Sequence, residues 1–393
     1  MSGNKVPIGP FHPLLEEAEY FELTVDGETV VDIDLEIGWM HRGHEYISEM
    51  STFTQSIYLV ERICGICSTS HPLACVHAVE DIDNIEIPER GRYIRTLVGE
   101  LERIHSHLLW LGLAGHFIGY DTVWMWAWKY REPILQMMEI ISGNRNHYGI
   151  MRVGGVSRDV ELSKIVELHK HLDMVEKKMV MIAKIANDDP VLKKRLKGVG
   201  VLTKEDARNY CATGPTSRAS GVRGDIRIDD PSDAYDLVDF KEIVLPNGDC
   251  YDKLVVRVLE ILESIKICRQ VLNKLEVIKG SFWNKVENIG VGEGCGRYEA
   301  PRGEVFHYIR SDGTNRPIRH KVRAPSYVNI PTYEASCKGI SISDALITLA
   351  AVDPCYCCTE RSMKIKEVNN KKVPNLMDLS RGKTEKLRRE ING

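Results

Sequence analysis

The chain has 393 residues, 43% of them hydrophobic, a formal net charge of −4 and an isoelectric point near 6.4. This length and composition support one large folded domain or two, and the weak negative charge argues against a nucleic-acid partner. No apolar run reaches the roughly 18 residues that a membrane-spanning helix needs, and the opening MSGNKVPIGP lacks the apolar core of a signal peptide. We therefore expect a cytoplasmic protein that reaches a membrane only through a partner.

The first elements predicted along the chain are a rigid loop and two strands. Three prolines and a glycine within residues 7–17 argue against a regular element there. The strands, Phe21–Val25 and Thr29–Gly38, flank Asp26-Gly27, a pair that strongly favours a hairpin turn. We expect the loop to hold a side chain in a fixed direction and the hairpin to cover one edge of the protein.

Amphipathic helices are predicted through the rest of the chain, because apolar residues recur at three- and four-residue spacing. The predicted helices are Phe53–Ile63, one that starts at His71-Pro72, Arg92–Phe117, one that starts at Pro133, Asp159–Ala186, Asp252–Lys279 with Gly280 as its C-terminal cap, and Ser343–Val352. Long striped helices pack as bundles. The predicted fold is α+β and mainly α, with a small N-terminal hairpin or sheet and a site carried on loops.

Several segments between these helices are predicted to be irregular or extended. Trp124, Trp126 and Trp128 alternate, as in a short extended segment, and would pack in the core or form a surface for a partner subunit. Residues 214–233 are predicted to be a loop that lacks the glycine spacing of a Walker nucleotide site. The glycine-rich stretch Gly292–Gly303 indicates close backbone approach, and Ile309–Arg323 is basic and partly extended.

Two cysteine pairs near opposite ends of the chain carry the chemistry. Cys64 and Cys67 are three positions apart, as are Cys355 and Cys358, a spacing that lets two thiolates bind one metal ion. Four thiolates suit zinc, iron or nickel, and coordination chemistry alone leaves open a structural zinc ion in a nonenzymatic scaffold. The unpaired cysteines are predicted to be small buried apolar groups. They are Cys75, Cys211, Cys250, Cys268, Cys295 and Cys337.

The residues around both cysteine pairs resemble the large subunit of nickel-iron hydrogenases. The motifs are RxCGxC at Cys64 and DPCxxC at Cys355, and the resemblance extends over most of the chain. Further matching stretches are Pro7–His12, Arg42-Gly43, Glu100–Leu108, Ser142–Arg145, Tyr298–Glu304 and Arg323–Ser326. The chain is most similar to the energy-converting, membrane-associated branch, which is related to the large peripheral subunit of respiratory complex I.

This resemblance implies a catalytic subunit that interconverts H2 with two protons and two electrons. It implies one domain over residues 1–361 and a basic C-terminal extension, 362–393, of the kind that a maturation protease removes after nickel chaperones have acted. Electrons would pass to iron-sulfur clusters on a small partner subunit. That partner would connect the chain to ion-translocating subunits at the cytoplasmic side of the membrane.

The resemblance also implies a metal-binding set. Cys64, Cys67, Cys355 and Cys358 would bind nickel, and Cys67 and Cys358 would bridge to an iron that carries carbon monoxide and cyanide. Cys357 falls at a variable position of the motif and is not expected to be a ligand. With thiolates at the metal, His105 and His107 are expected to be hydrogen-bonded packing residues rather than ligands.

Five further residues gain roles from the resemblance. Glu17 would begin the proton exit by taking a proton from Cys358 or a neighbouring thiolate, and Arg323 would overhang the metals and offer donors to the cyanide ligands. Arg62 and His71 would contact the first cysteine pair and tune the metal through its sulfurs. Glu45 would bind a separate ion of the magnesium type, although Arg361 stands where other members have a histidine ligand.

Two other oxidoreductase functions use the same fold. The complex I relative has lost the thiolates and binds quinone with a histidine-bearing loop, where this chain has Leu15-Glu16-Glu17. A membrane sulfane reductase departs from the full cysteine set. Because all four cysteines are present here, the sequence favours a hydrogenase over these two alternatives and over a zinc scaffold.

Overall fold

Long helices and three small antiparallel sheets make up the computed structural model, which describes residues 4–13, 15–359, 382–386 and 388–389. The strands are β1 Asn4–Ile8, β2 Tyr20–Asp26, β3 Thr29–Glu36, β4 Met151–Arg152, β5 Gly155–Val156, β6 Val291–Ala300, β7 Gly303–Asp312 and β8 Pro317–Arg323. The helices are α1 His44–Met50, α2 Phe53–Glu61, α3 Ser70–Asp83, α4 Glu89–Phe117, α5 Asp121–Ser142, α6 Leu162–Asp188, α7 Pro190–Leu196, α8 Lys204–Asn209, α9 Gly214–Ala219, α10 Ile226–Asp229, α11 Cys250–Val277, α12 Pro325–Asn329, α13 Tyr333–Ser336, α14 Ile342–Ala351 and α15 Tyr356–Thr359. The predicted fold class, α+β and mainly α, is confirmed.

The main core lies between α4, α5, α6 and α11, with α4 packed against both α5 and α11. The predicted stripe of α4 is fully buried, since Leu97, Leu101 and Leu108 have no exposed surface. The Asp249 side chain caps α11 by accepting a hydrogen bond from the Asp252 amide. The expected cap at Gly280 is wrong, because α11 ends at Val277 and the chain is already extended at residue 278.

The tryptophan segment is helical, so the prediction of an extended segment is wrong. Trp124, Trp126 and Trp128 all lie in α5, and Pro133 lies inside that helix rather than at its start. The alternation of tryptophans hid a helical pattern in which Ala127 and Ile134 are fully buried. Tertiary packing against α4 outweighs the local β preference of tryptophan.

Three smaller predictions are also corrected. Residues 214–219 form the short helix α9 within the predicted loop, and Ser341 rather than Ser343 caps α14. Cys211 and Cys295 are exposed, whereas the other four unpaired cysteines are buried as expected.

The N-terminal sheet has the order β1-β2-β3, and the predicted hairpin between β2 and β3 is confirmed. The predicted loop starts too early, since Pro7 and Ile8 belong to β1, an edge strand that tolerates proline. Phe21 on β2 packs against Tyr333 and Tyr356. This sheet therefore supports the segment that carries the second cysteine pair.

The C-terminal sheet, β6-β7-β8, packs against α3, the helix that follows the first cysteine pair. The close backbone approach expected from the glycine-rich stretch is confirmed. A Cβ added at Gly294 or Gly296 would lie 1.9 or 2.0 Å from the carbonyl oxygens of Ala78 and Ala74 on α3. Only glycine permits this contact.

Across the described residues, no helix is both long enough and apolar enough to span a membrane. The predicted boundary at residue 361 and nearly all of the predicted extension, 362–393, fall outside the described residues. The division into a domain and an extension therefore stays a prediction.

Candidate metal centre

Cys64 and Cys67 lie on the turn between α2 and α3, and Cys355 and Cys358 lie where the chain turns from α14 into α15. Cys64 follows the end of α2, and its sulfur accepts a hydrogen bond from the Cys67 amide at 3.3 Å. After α14, Asp353 adopts a left-handed backbone with φ of 61°, which turns the chain into Pro354 and Cys355. The Cys355 amide is held by the Ser326 hydroxyl at 3.0 Å. Each turn thus presents its sulfurs on one side.

The two ends of the chain meet at these sulfurs. Cys355 Sγ lies 3.2 Å from Cys64 Sγ and 2.9 Å from Cys358 Sγ. The sulfurs of Cys64, Cys355, Cys357 and Cys358 all lie within 4.8 Å of one another and are buried. Cys67 is buried beside them, and its sulfur interacts with Cys64 and Cys358. Five cysteine sulfurs therefore gather in one place.

Cys357, which the sequence analysis did not expect to be a ligand, lies beside the four predicted cysteines. Its sulfur lies 3.5 Å from that of Cys355, inside the four-sulfur group that Cys67 adjoins. The signal was present in the run Cys355-Tyr356-Cys357-Cys358, whose middle cysteine falls on the first turn of α15.

The electrostatics of this group suit a metal cation. Hydrogen bonds from Cys355, Cys357 and Cys358 hold the pKa of Cys64 well below its usual range. Burial raises the pKa of Cys358 well above its usual range. The protein alone thus stabilises one thiolate and opposes more. A soft divalent ion would supply the positive charge that additional thiolates need, so the residues present fit a thiolate-bound metal.

A buried arginine that the sequence analysis did not select overhangs the sulfurs. Arg302 Nη1 lies 3.7 Å from Cys67 Sγ and 3.1 Å from Ser106 Oγ. Its Nη2 pairs with Asp353 Oδ1 at 2.6 Å, and its Nε bonds the Asp353 carbonyl at 2.8 Å. Arg302 therefore ties the second cysteine turn to the first. It lies in the Tyr298–Glu304 stretch, which already carried the resemblance.

Arg323, the residue selected from the sequence, faces elsewhere. Its Nη1 donates to the Glu304 carbonyl at 2.9 Å, and its Nη2 pairs with the Glu304 carboxylate. The side chain is 32% exposed. The structure brings Arg302, rather than Arg323, to the position predicted for the overhanging guanidinium.

Glu17 reaches the second cysteine turn from the N-terminal loop. Its Oε2 accepts a hydrogen bond from the Cys357 amide at 2.6 Å. Burial raises the pKa of Glu17, and the neighbouring Cys64 raises it further. Glu17 also lines an open cleft with Phe11 and Met40. The carboxylate thus stands between the sulfur cluster and a cleft at the surface.

Of the other three predicted residues, His71, Arg62 and Glu45, only His71 lies beside a sulfur of the cluster. His71 Nε2 lies 3.5 Å from Cys358 Sγ. The guanidinium of Arg62 is half exposed and bonds the Tyr58 carbonyl at 2.8 Å, so it faces away from the sulfurs. Glu45 pairs with Lys321 at 2.7 Å.

Glu45 also accepts a hydrogen bond from the Val322 amide at 3.0 Å, and in this way it attaches α1 to β8. Among the described residues it joins no cluster of three ligand-bearing side chains, and Arg361 lies outside them. The magnesium-type site therefore gains no support from this geometry.

His105 and His107 on α4 are hydrogen-bonded packing residues, as expected. His105 Nε2 contacts the Tyr148 hydroxyl at 3.2 Å, and His107 Nε2 contacts Glu260 at 2.9 Å. Burial lowers the pKa of His105 to about 3 and that of His107 to about 4. Both rings are therefore neutral near pH 7.

Two protein families match the chain. The family described as the 49 Kd subunit of respiratory-chain NADH dehydrogenase matches residues 118–291 and 279–361. The family described as nickel-dependent hydrogenase matches residues 42–113, which include the first cysteine pair.

Whole-length relatives come from both groups. The membrane-bound hydrogenase subunit alpha of Pyrococcus furiosus is 39% identical and aligns with 99% of this chain and 95% of its own. An NADH-quinone oxidoreductase subunit of Herpetosiphon aurantiacus is 37% identical over 89% of this chain and 96% of its own. A solved archaeal respiratory complex, the membrane-bound sulfane sulfur reductase, contains a chain 29% identical with a TM-score of 0.87, covering 92% of this chain and 99% of that one.

Proposed function

Since the chain belongs to the oxidoreductase family that unites nickel-dependent hydrogenase subunits with the 49 Kd subunit of NADH dehydrogenases, we propose that it is the catalytic subunit of a nickel-iron hydrogenase. The reaction is the reversible conversion of H2 into two protons and two electrons. The observation that carries the proposal is the buried group of cysteine sulfurs from both ends of the chain.

Cys64, Cys67, Cys355 and Cys358 would hold nickel, with Cys67 and Cys358 shared with an iron that carries carbon monoxide and cyanide. When bound, the metal pair supplies a soft, redox-active site that takes up hydrogen and accepts its electrons. Arg302 contributes a fixed positive charge 3.7 Å from Cys67 Sγ and thereby favours the thiolate form of the ligand. In this proposal Arg302 takes the role predicted for Arg323.

Glu17 is the proton acceptor in this proposal. Its Oε2 is held against the second cysteine turn by the Cys357 amide, so it can take a proton from Cys358 or another nearby sulfur. A raised pKa brings a carboxylate closer to the working range of a proton relay. The cleft beside Phe11 and Met40 gives the proton a route to solvent.

The partners follow from the chemistry. The reaction needs an electron acceptor, and we assign this role to iron-sulfur clusters on a small subunit. Through it the chain would attach as a peripheral subunit at the cytoplasmic face of a membrane complex. Its relatives include a membrane-bound hydrogenase subunit and a chain of an archaeal respiratory membrane complex.

Metal analysis of the purified native complex, together with hydrogen-dependent dye reduction, tests the proposal. Nickel is expected together with an excess of iron, because the iron-sulfur clusters of the partner also contain iron, and hydrogen should reduce the dye. Cys355→Ser should lose nickel, because it removes the sulfur closest to two others. Cys295→Ser is the matched control, since Cys295 is exposed and should retain both metals. Nickel retained in Cys355→Ser would remove this residue from the ligand set.

The similarity to a chain of a sulfane sulfur reductase complex supports a second candidate, reduction of sulfane sulfur within a membrane complex. The chain of that complex has the same fold as this one. Nickel with hydrogen-dependent dye reduction favours the hydrogenase. Sulfane-dependent oxidation of a reduced dye without hydrogen turnover favours the second candidate. Zinc alone would instead indicate a nonenzymatic scaffold, and a chain without metal a complex I-like role.

A further inference from the structure

A line of three buried histidines runs from the sulfur cluster to helix α1. His71 Nε2 lies 3.5 Å from Cys358 Sγ, and His71 Nδ1 lies 3.1 Å from His307 Nε2. His307 Nδ1 lies 2.9 Å from His320 Nε2, and His320 Nδ1 lies 2.6 Å from Ser48 Oγ. None of these side chains is more than 1% exposed, apart from Cys358 at 2%.

Four elements hold this line in place. His71 is on α3, His307 on β7, His320 on β8 and Ser48 on α1. Helix α1 is attached to β8 on both sides of Ser48, because Glu45 accepts from the Val322 amide and Glu49 accepts from the His320 amide at 3.3 Å. These two hydrogen bonds to main-chain amides of β8 hold the Ser48 hydroxyl opposite the His320 ring.

The hydrogen bonds along the line must share one direction. A neutral imidazole has one donor nitrogen and one acceptor nitrogen, so each ring that accepts on Nδ1 donates from Nε2. The Ser48 hydroxyl can donate or accept. Within the described part of the chain, the hydrogen bonds give this buried hydroxyl a single acceptor, His320 Nδ1. The serine is therefore the donor.

We propose that Ser48, His320 and His307 are positioning residues that fix His71 as an N–H donor to the sulfur of Cys358. Ser48 donates to His320 Nδ1, and His320 then donates from Nε2 to His307. His307 donates in the same way to His71, and His71 Nε2–H points at Cys358 Sγ. A serine on α1 thus sets the ring tautomer beside the candidate metal centre.

The consequence for the metal rests on the proposed function. A hydrogen bond to a ligand sulfur withdraws electron density from the metal and makes reduction easier. Without it, the lone pair of His71 Nε2 would face a sulfur that is negatively charged when it binds metal. The tautomer itself depends on the fold alone.

A second metal ion is the competing interpretation of the same residues. Ligand atoms of Cys75, His307 and His320 lie within 4.8 Å of one another. An ion there would need lone pairs from both rings, which the 2.9 Å bond between the rings opposes. These side chains also supply three ligands where a closed structural zinc site has four. The hydrogen-bonded line accounts for the ring nitrogens more completely.

Solid-state NMR of the native complex with 15N-labelled histidine tests the proposal. Nitrogen shifts distinguish the protonated from the unprotonated ring position, and replacing one histidine at a time assigns the signals. Wild type and Ser48→Thr, which keeps a hydroxyl, should show all three rings protonated at Nε2. Ser48→Ala should shift the His320 signals towards a mixture of both tautomers.

Three results would overturn the proposal. The first is a wild-type His320 protonated at Nδ1. The second is a Ser48→Ala spectrum identical to wild type, which would mean that the sulfur alone orients the rings. The third is a bound metal that Cys75→Ser removes. If nickel is absent but the tautomers are as expected, the proposed function fails and this inference stands. If nickel is present but the tautomers are the opposite ones, this inference fails and the proposed function stands.

Discussion

Replacing Arg302 by methionine should remove the contacts that join the two cysteine turns and lower the stability of the fold. The guanidinium makes two bonds to Asp353 and one each to Ser106 and Cys67, and the side chain is buried. In Arg302→Met, the Asp353 carboxylate keeps one ion-pair partner among the described residues, Arg257, whose Nε is 3.9 Å away. A buried carboxylate is thus left with one distant partner.

The loss of stability expected for Arg302→Met can be compared with the loss from breaking a more exposed arginine–carboxylate pair on the same sheet. Removing one partner of a buried ion pair costs about 3–5 kcal/mol, and the Arg302–Asp353 pair is 2% exposed on both sides. The Arg323–Glu304 pair is 32% and 21% exposed, and such surface pairs contribute about 0–1 kcal/mol. Arg323→Met is therefore the control that removes the same group from the other candidate arginine.

Urea denaturation followed by circular dichroism measures both variants, and metal analysis follows nickel. We expect a lower midpoint with an unchanged slope for Arg302→Met, together with reduced nickel. Arg323→Met should match wild type in both measurements. Equal effects of the two substitutions, or a larger effect of Arg323→Met, would refute the assignment of Arg302 as the arginine that holds the site.

Three further predictions concern other parts of the account. Glu17→Gln keeps an oxygen for the Cys357 amide but cannot carry a proton, so it should retain both metals and lose about 10²- to 10⁴-fold of hydrogen turnover; unchanged turnover would remove Glu17 from the proton path. Gly296→Ala should destabilise the fold by about 1–3 kcal/mol, since its Cβ would lie 2.0 Å from a carbonyl oxygen of α3. Gly292→Ala is its control, because its Cβ meets the Ile82 side chain at 3.1 Å rather than a main-chain oxygen at 2.0 Å; similar melting temperatures for the two variants would contradict the close packing. Burial lowers the pKa of His77, but the effect of its carboxylate partner Asp233 is larger and raises this pKa above its usual value. Stability from this pair is therefore complete below about pH 6.5 and is lost as the pH rises through the raised pKa, so unfolding free energies of wild type and His77→Gln should converge at alkaline pH, and a constant difference would contradict this.

Much of the architecture could be predicted because its signals are local. The stripes of α4, α6 and α11 follow the helical period, and the Asp26-Gly27 pair marks the β2–β3 hairpin. The meeting of the cysteine pairs was predicted from their spacing and flanking residues. The prediction for the tryptophan segment was wrong because alternation over five residues is too short to distinguish a strand from a helix when packing decides the outcome.

The site residues that sequence reasoning missed depend on tertiary geometry. Arg302 and Arg323 lie at the same end of one sheet, and only the fold decides which guanidinium reaches the sulfurs. Glu45 resembles a metal ligand in sequence, yet it binds the β8 backbone. Ser48 carries no motif at all. Its position next to His320 arises from the attachment of α1 to β8.

X-ray absorption at the nickel edge of the purified complex tests the central claim most directly. If thiolates from the two ends of the chain jointly bind nickel beside iron, the nickel should show a sulfur-dominated coordination shell with a heavier scatterer just beyond it. Cys355→Ser should lose that signal, and Cys295→Ser should keep it. Nickel surrounded mainly by nitrogen and oxygen, or a complex without nickel, would contradict the claim.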